Sequence, residues 1–248
     1  MSQQVYQPNI PKIRFDKSGY YFIGLVVLAF LGFWATYFSK FFDGETRFNF
    51  YFHFHAAMVS LWILALIVQP TLIRKKKLAI HKIIGKLTYV LMPLLFVSVI
   101  LLTHSRLQEH ITVINGENFH GPHLVVPFKD LLILGTAYII AVARRRDFNI
   151  HARAMVATGI VFIEPALFRF IFSNHFVAEV MPAYFWTIGI IYALLIGLII
   201  LERKQKRGRW VFPLILGLYI FVHSIIIFGI NPSPWETFAR WFAALPLT

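Results

Sequence analysis

Seven apolar stretches, at residues 18–40, 52–73, 83–103, 124–143, 153–173, 182–201 and 211–230, recur along a chain of 248 residues. Each is close to the ~20 residues that the hydrocarbon core of a bilayer demands of a helix. No water-soluble packing hides that much apolar surface. Hydrophobic residues make up 58% of the chain and mean hydropathy is +0.67, while charged residues make up 14%, against about 25% in a soluble domain. The runs are too long for strands and lack the period-two alternation of a membrane barrel. The expectation is therefore an all-α, polytopic membrane protein, one integral domain over residues 1–248 with seven transmembrane helices. No cleavable leader is expected, because residues 1–17 are polar and include Pro8 and Pro11, and the apolar run after them is long enough to span. No lipidation motif and no low-complexity segment stands out.

Charge supplies the orientation. Lys12, Arg14 and Lys17 precede the first stretch. Arg74, Lys75, Lys76, Lys77, Lys82 and Lys86 fill the second connection. Arg144, Arg145, Arg146 and Arg153 fill the fourth, and Arg203, Lys204, Lys206, Arg207 and Arg209 the sixth. Those alternate connections hold 18 of the 24 Lys and Arg, whereas the other face has only Lys40, Arg47, Arg106 and Arg240. The positive-inside rule puts the basic set in the cytoplasm, so the N-terminus is expected inside and, after seven spans, the segment 231–248 outside. The net charge of +13 is then topology plus attraction to anionic lipid headgroups. It does not point to nucleic acid, since the basic residues sit in short juxtamembrane loops without an aromatic-interleaved platform. The absence of cysteine excludes disulfides, iron–sulfur clusters and thiolate metal sites.

Two connections are alike. Arg74-Lys-Lys-Lys-Leu-Ala-Ile-His81 and Arg144-Arg-Arg-Asp-Phe-Asn-Ile-His151 share a basic triplet, an apolar fifth residue, Ile at the seventh and His at the eighth. His53 precedes His81 by 28 residues, as His123 precedes His151, and His104 and His175 follow after 23 and 24. This spacing suggests two parallel hairpin repeats, 52–103 and 124–175, forming a four-helix core. Helices 1, 6 and 7 would be peripheral, although His223 argues that helix 7 touches the core.

The chemistry-bearing candidates are histidines and a few buried charges. His53, His55, His104, His110, His120, His123 and His175 fall on the outer side. At ~1.5 Å per residue His223 lies roughly 18 Å along the last helix, in its outer half. Glu164, followed by Pro165, is near mid-membrane, with Arg169 about a turn and a half further out. Lys129 and Asp130 enter helix 4 from outside. Ionisable groups in a membrane are costly and usually face protein or a watery cavity, so Glu164, Arg169 and His223 should point inward. Glu164 and Arg169 are five apart, a spacing that does not stack them on one face, so cross-helix partners are expected for both. His53 and His55, two apart, cannot both face the core, and His55 is the deeper.

Imidazole ligates haem iron and transition metals. A haem version of the site has His55 and His123 as an outer b-type pair, with His81 and His151 as an inner one. A metal version has iron, copper or zinc held by three or more of His55, His104, His123, His175 and His223, with Glu164 as ligand or proton acceptor. Against these stand interfacial or hydrogen-bonded histidines outside. For His81 and His151 the alternative is lipid-phosphate binding or the satisfaction of a helix end. Trp62, Trp186, Trp210, Trp235 and Trp241 read as belt or packing aromatics. Tyr89, Tyr138, Tyr192 and Tyr219 read as packing, or else as relays. Pro93, Pro165 and Pro213 are expected to kink helices.

His81-Lys-Ile-Ile-Gly85-Lys86 resembles the His-Arg-x-x-Gly-Arg turn of a family of bacterial integral membrane proteins of unknown function. His151-x-x-x-Met155 followed by Arg169 is similar to the same family's His-x-x-x-Met…Arg signature. Lys82, Lys86 and Ala152 depart from its pattern. The resemblance covers helices 2–5 and implies that His81, Gly85, His151, Met155 and Arg169 matter and that the bacterial inner membrane is the location. It implies no reaction. The functional expectation is a haem- or metal-binding protein with a redox role, Glu164 and Arg169 being the candidate catalytic residues. A zinc-dependent lipid hydrolase is one alternative. The other is a transporter or lipid-binding scaffold in which Glu164, Arg169 and Lys129 line a polar pathway.

Overall fold

The computed structural model describes residues 13–42, 44, 48–107, 112–114 and 117–248. Nine α-helices lie among them: α1 (Ser18–Phe33), α2 (Phe50–Arg74), α3 (Leu78–Leu107), α4 (Gly121–Ala143), α5 (Phe148–Ile160), α6 (Ile163–Ser173), α7 (Val180–Glu202), α8 (Val211–Ile227) and α9 (Ser233–Ala243). A two-stranded antiparallel hairpin, Thr112–Ile114 with Glu117–Phe119, joins α3 to α4. Six helical segments are long and apolar enough to cross a membrane. They are Phe15–Phe41, which continues α1 through a π-helical turn, then α2, α3, α4, the α5–α6 unit Phe148–Ser173, and α7. The seventh apolar stretch is the shorter helix α8. His110 and Lys12 fall outside the described residues.

Sequence-local devices start the helices. The Asn49 side chain accepts from the Tyr51 and Phe52 N–H groups at the head of α2, and Asp147 does the same for Asn149 and Ile150 at the head of α5. In the first basic turn Lys76 takes a left-handed φ of 57°, which lets Lys77 N–H reach back to the Leu72 carbonyl and close the end of α2. Of the prolines expected to bend helices, Pro93 sits inside uninterrupted α3 and Pro213 in the first turn of α8. Pro165 marks a true break, since the fifth span stops at Ile160 and restarts at Ile163.

Helices α2, α3, α4 and α5 close a ring, α2 on α3, α3 on α4, α4 on α5 and α5 on α2. Residues Phe148–Ser173 form the most enclosed span, touching α1, α2, α4, α7 and α8. Helix α8 also belongs to the core, burying Val211, Phe212, Ile215, Tyr219 and His223 completely. Close approach depends on small residues. A Cβ at Gly32 would run into the Ala166 carbonyl where α1 crosses α6, and one at Gly159 into the Phe22 ring. Outside the core, Tyr21, Leu87, Val90, Ile139, Trp186 and Phe221 stand exposed, the pattern of a surface solvated by lipid.

All the basic connections gather at one end. There Arg74 lies over the Tyr20 ring, Arg153 lies over the Phe15 ring, and Arg153 forms a fully buried ion pair with Glu202. At the opposite end α9 lays Trp235, Phe238, Ala239 and Phe242 against Leu107, Leu124 and Phe128. Glu236 accepts hydrogen bonds from the backbone N–H groups of His120 (3.0 Å) and Gly121 (2.8 Å), fastening α9 to the start of α4.

Candidate functional site

Glu164 occupies the first turn of α6, directly after the break. Pro165 has no N–H to spend there, so the backbone restarts without an orphaned donor at that position. The break turns the Glu164 carboxylate towards α4 and α8. One oxygen accepts from Lys129 Nζ at 2.6 Å, and the other lies 3.3 Å from His223 Nε2. Lys129 also pairs with Asp130 at 2.8 Å. All three central residues are buried, Lys129 and Glu164 at 3% exposure and His223 at 0%. At ~1.5 Å per residue Lys129 lies roughly 12 Å from the start of α4, which places the group in the half of the bundle away from the basic end.

The partners settle who donates. An ionised Glu164 beside Lys129 only accepts, so His223 Nε2 carries a proton. With His223 neutral, Nδ1 is an acceptor and takes the Tyr192 hydroxyl at 3.1 Å; with His223 charged, the same hydroxyl turns round and accepts. Tyr184 and Tyr219 press their rings on His223 at 5.8 and 5.3 Å, and Lys129 Nζ stands 5.5 Å from the Tyr219 centroid. The hydroxyls of Tyr184 and Tyr219 are buried and make no hydrogen bond. The arrangement can hold a proton on either side of His223 and offers two further phenol donors.

Arg169 does not join Glu164. Its Nη1 donates to the Pro165 carbonyl of its own helix at 3.1 Å, and the guanidinium covers the Phe33 ring at 4.6 Å. His55, Asp130 and Arg106 are its electrostatic neighbours. His55 Nδ1 is 3.2 Å from the Ser98 hydroxyl, while His53 turns away to the Tyr37 hydroxyl at 2.8 Å. The other histidines are scattered. His104 Nδ1 meets the Thr248 hydroxyl at 2.6 Å, His123 opens α4 with its N–H on the His120 carbonyl at 3.2 Å, and His175 sits past α6 with a φ of 57°. Among the described residues no three His, Asp or Glu are placed to hold a metal ion.

At the basic end His81 and His151 lie close enough to act on each other electrostatically. His151 Nδ1 donates to the Ala141 carbonyl at 2.8 Å, which leaves Nε2 with its lone pair. The Gln69 amide donates to the His81 carbonyl at 3.2 Å, and His81 Nδ1 is buried without a hydrogen bond.

Sequence reasoning set Glu164 beside His223 in a metal site and beside Lys129 in a polar pathway, but did not join all three in one group. It passed over Tyr184, the Arg153–Glu202 pair and Glu236. A lone acid within a run of basic residues was a usable signal for Glu202. Comparison with protein-family models, with curated proteins and with solved structures found no match.

Proposed function

We propose that this chain is a seven-span cell-membrane protein, cytoplasmic at its N-terminus and external at its C-terminus, that carries a small polar solute across the bilayer together with protons. The observation that supports it is the Lys129–Glu164–His223 group, contributed by three spans and meeting at a break in the most enclosed one. Ionisable residues this deep mark ion and proton pathways, and interrupted helices recur where carriers bind their cargo. His223 is the proton carrier in this reading: its Nε2–H stays on Glu164, which Lys129 holds ionised, while Nδ1, facing Tyr192, takes up and releases the second proton. The basic loops then face anionic headgroups of the inner leaflet.

The test uses purified protein in liposomes loaded with a pH-sensitive dye, challenged with impermeant carboxylates, amino acids and phosphate. At least one solute should change the lumenal pH, and Glu164→Gln and His223→Asn should each abolish the change. A lumen that stays unchanged across the whole panel would overturn the reading. Cysteines introduced at residues 74–86, 144–152 and 202–210 should react only with reagents that reach the cytoplasm; labelling from outside would sink the orientation.

A second reading, haem- or metal-linked electron transfer, is favoured by the His81–His151 pair. The hydrogen bond from His151 Nδ1 to the Ala141 carbonyl is the kind of partner that orients a ligating imidazole. A Soret band shifting on reduction, or stoichiometric bound metal, lost in both His81→Ala and His151→Ala, would support it. A colourless, metal-free preparation would sink it.

A further inference from the structure

Among the described residues, Arg169 has no ion-pair partner, although it is a charge inside an apolar span. Its only hydrogen bond runs to a carbonyl of its own helix, and no carboxylate of a described residue stands within 4.0 Å of it. The nearby acids are engaged elsewhere: Asp130 with Lys129, and Glu164 with Lys129 and His223. Arg106, at the end of α3 over the Phe52 ring, adds a like charge to the neighbourhood, and the His55 imidazole is within electrostatic reach of Arg169. Among the described residues Arg169 thus has no carboxylate at ion-pair distance, in a medium where an unmatched charge is expensive. Phe33 fixes the guanidinium plane from one side, so its remaining N–H groups form a held fork.

We propose that Arg169 is the docking point for an oxyanion, a carboxylate or phosphate bound through paired oxygens. Guanidinium matches that geometry in a way ammonium does not. The inference deepens the transport reading, on which it rests for its cargo: the solute is a small organic or inorganic anion that enters past Arg106, docks on Arg169 and has the proton-exchanging His223 group ahead of it. The same oxygens exist on a lipid phosphate, and the test separates the two sources.

Purified protein in uncharged detergent is titrated with sodium succinate or sodium phosphate against sodium chloride at constant ionic strength, and the thermal unfolding midpoint is read. The wild type should rise saturably by several degrees with an oxyanion and not with chloride. Arg169→Gln should lose the response, and Arg169→Lys, which keeps the charge without the fork, should need several-fold more anion. In a parallel series, phosphatidylglycerol replaces phosphatidylcholine in the micelle. A rise with phosphatidylglycerol alone, lost in Arg169→Gln, overturns the solute assignment and makes the ligand a lipid headgroup. No rise with any of these, or an equal rise in Arg169→Gln and wild type, overturns the site. Should Arg169→Gln not fold, Arg169→Lys decides, since an affinity equal to wild type also overturns it. Anion binding through Arg169 in a protein that moves no protons would keep the site and overturn the transport reading; proton-coupled flux without Arg169-dependent binding would do the reverse.

Discussion

Replacing Glu164 by Leu removes one half of the 2.6 Å pair with Lys129 and takes the acceptor from His223 Nε2. Breaking a buried pair costs roughly 3–5 kcal/mol, because the remaining charge has no compensation, whereas replacing both partners by apolar groups is often near neutral. Lys129 keeps Asp130 at 2.8 Å, which softens the loss. The expected cost of Glu164→Leu is therefore at the low end, about 3 kcal/mol. Lys129→Met should cost a similar amount, since it leaves Glu164 with only His223. In the double variant both charges go. Asp130 loses its partner, a cost that Lys129→Met already carries and that cancels in the cycle, and a neutral His223 keeps Tyr192. The double variant should then recover about 2–3 kcal/mol relative to the sum of the single changes. The assay is unfolding in mixed micelles of increasing dodecyl sulfate content, followed by tryptophan fluorescence. Costs that add to within about 0.5 kcal/mol would mean the two side chains do not share an ion pair, and the argument from a joined network would fail.

Glu236 lies outside the spans. Burial alone would raise its pKa, but the N–H groups of His120 and Gly121, helped by Asn231 and Arg240, bring it down to about 2 from 4.5. A depressed carboxylate stabilises the fold above its unfolded pKa and loses that contribution as pH falls towards the folded value, here between 4.5 and about 2. Glu236→Gln should accordingly cost about 2–3 kcal/mol near neutral pH, and the gap to wild type should narrow by about 1 kcal/mol near pH 3.5; a gap that does not move with pH would refute the latch. Gly159→Ala should destabilise by about 1–3 kcal/mol through overpacking against Phe22. Gly24→Ala, whose added carbon meets nothing within 4 Å, should be silent, and equal behaviour of the two would count against the α1–α5 contact.

What was legible in the sequence is what a single residue property along one dimension encodes. Apolar run lengths located the six span-length segments, and the seventh stretch holds the shorter helix Val211–Ile227. Helices α2, α3, α4 and α5, on which the histidine spacing falls, pack in a ring. Pairings across helices depend on how each helix is rotated about its axis, and no run length carries that. Lys129 and Asp130 looked like residues entering a helix, yet they stand roughly 12 Å inside it and meet Glu164 from another span. Glu236 was hidden differently. Residues 231–248 looked like an external tail, but Trp235, Phe238, Ala239 and Phe242 follow the i, i+3, i+4, i+7 spacing of a one-sided helix. That signal is in the chain and was outweighed by the segment's lower hydropathy.

The break at Val161–Phe162 explains why the polar group lies where it does. An interrupted helix facing lipid would expose backbone groups that hydrocarbon cannot satisfy. Enclosure by α1, α2, α4, α7 and α8 removes that penalty for the fifth span. The same enclosure lets Glu164, in the first turn of α6, meet Lys129 and His223 without touching lipid. One span thereby carries His151 and Arg153 at the basic end and Glu164 and Arg169 in the other half, with an interruption between them. The α5 half is held by the buried Arg153–Glu202 pair, and the α6 half by Gly32 against Ala166 and by Lys129. Any change in the protonation of His223 or in the charge beside Arg169 therefore acts on α6, the half whose link to α5 passes through a turn rather than through continuous helical hydrogen bonds.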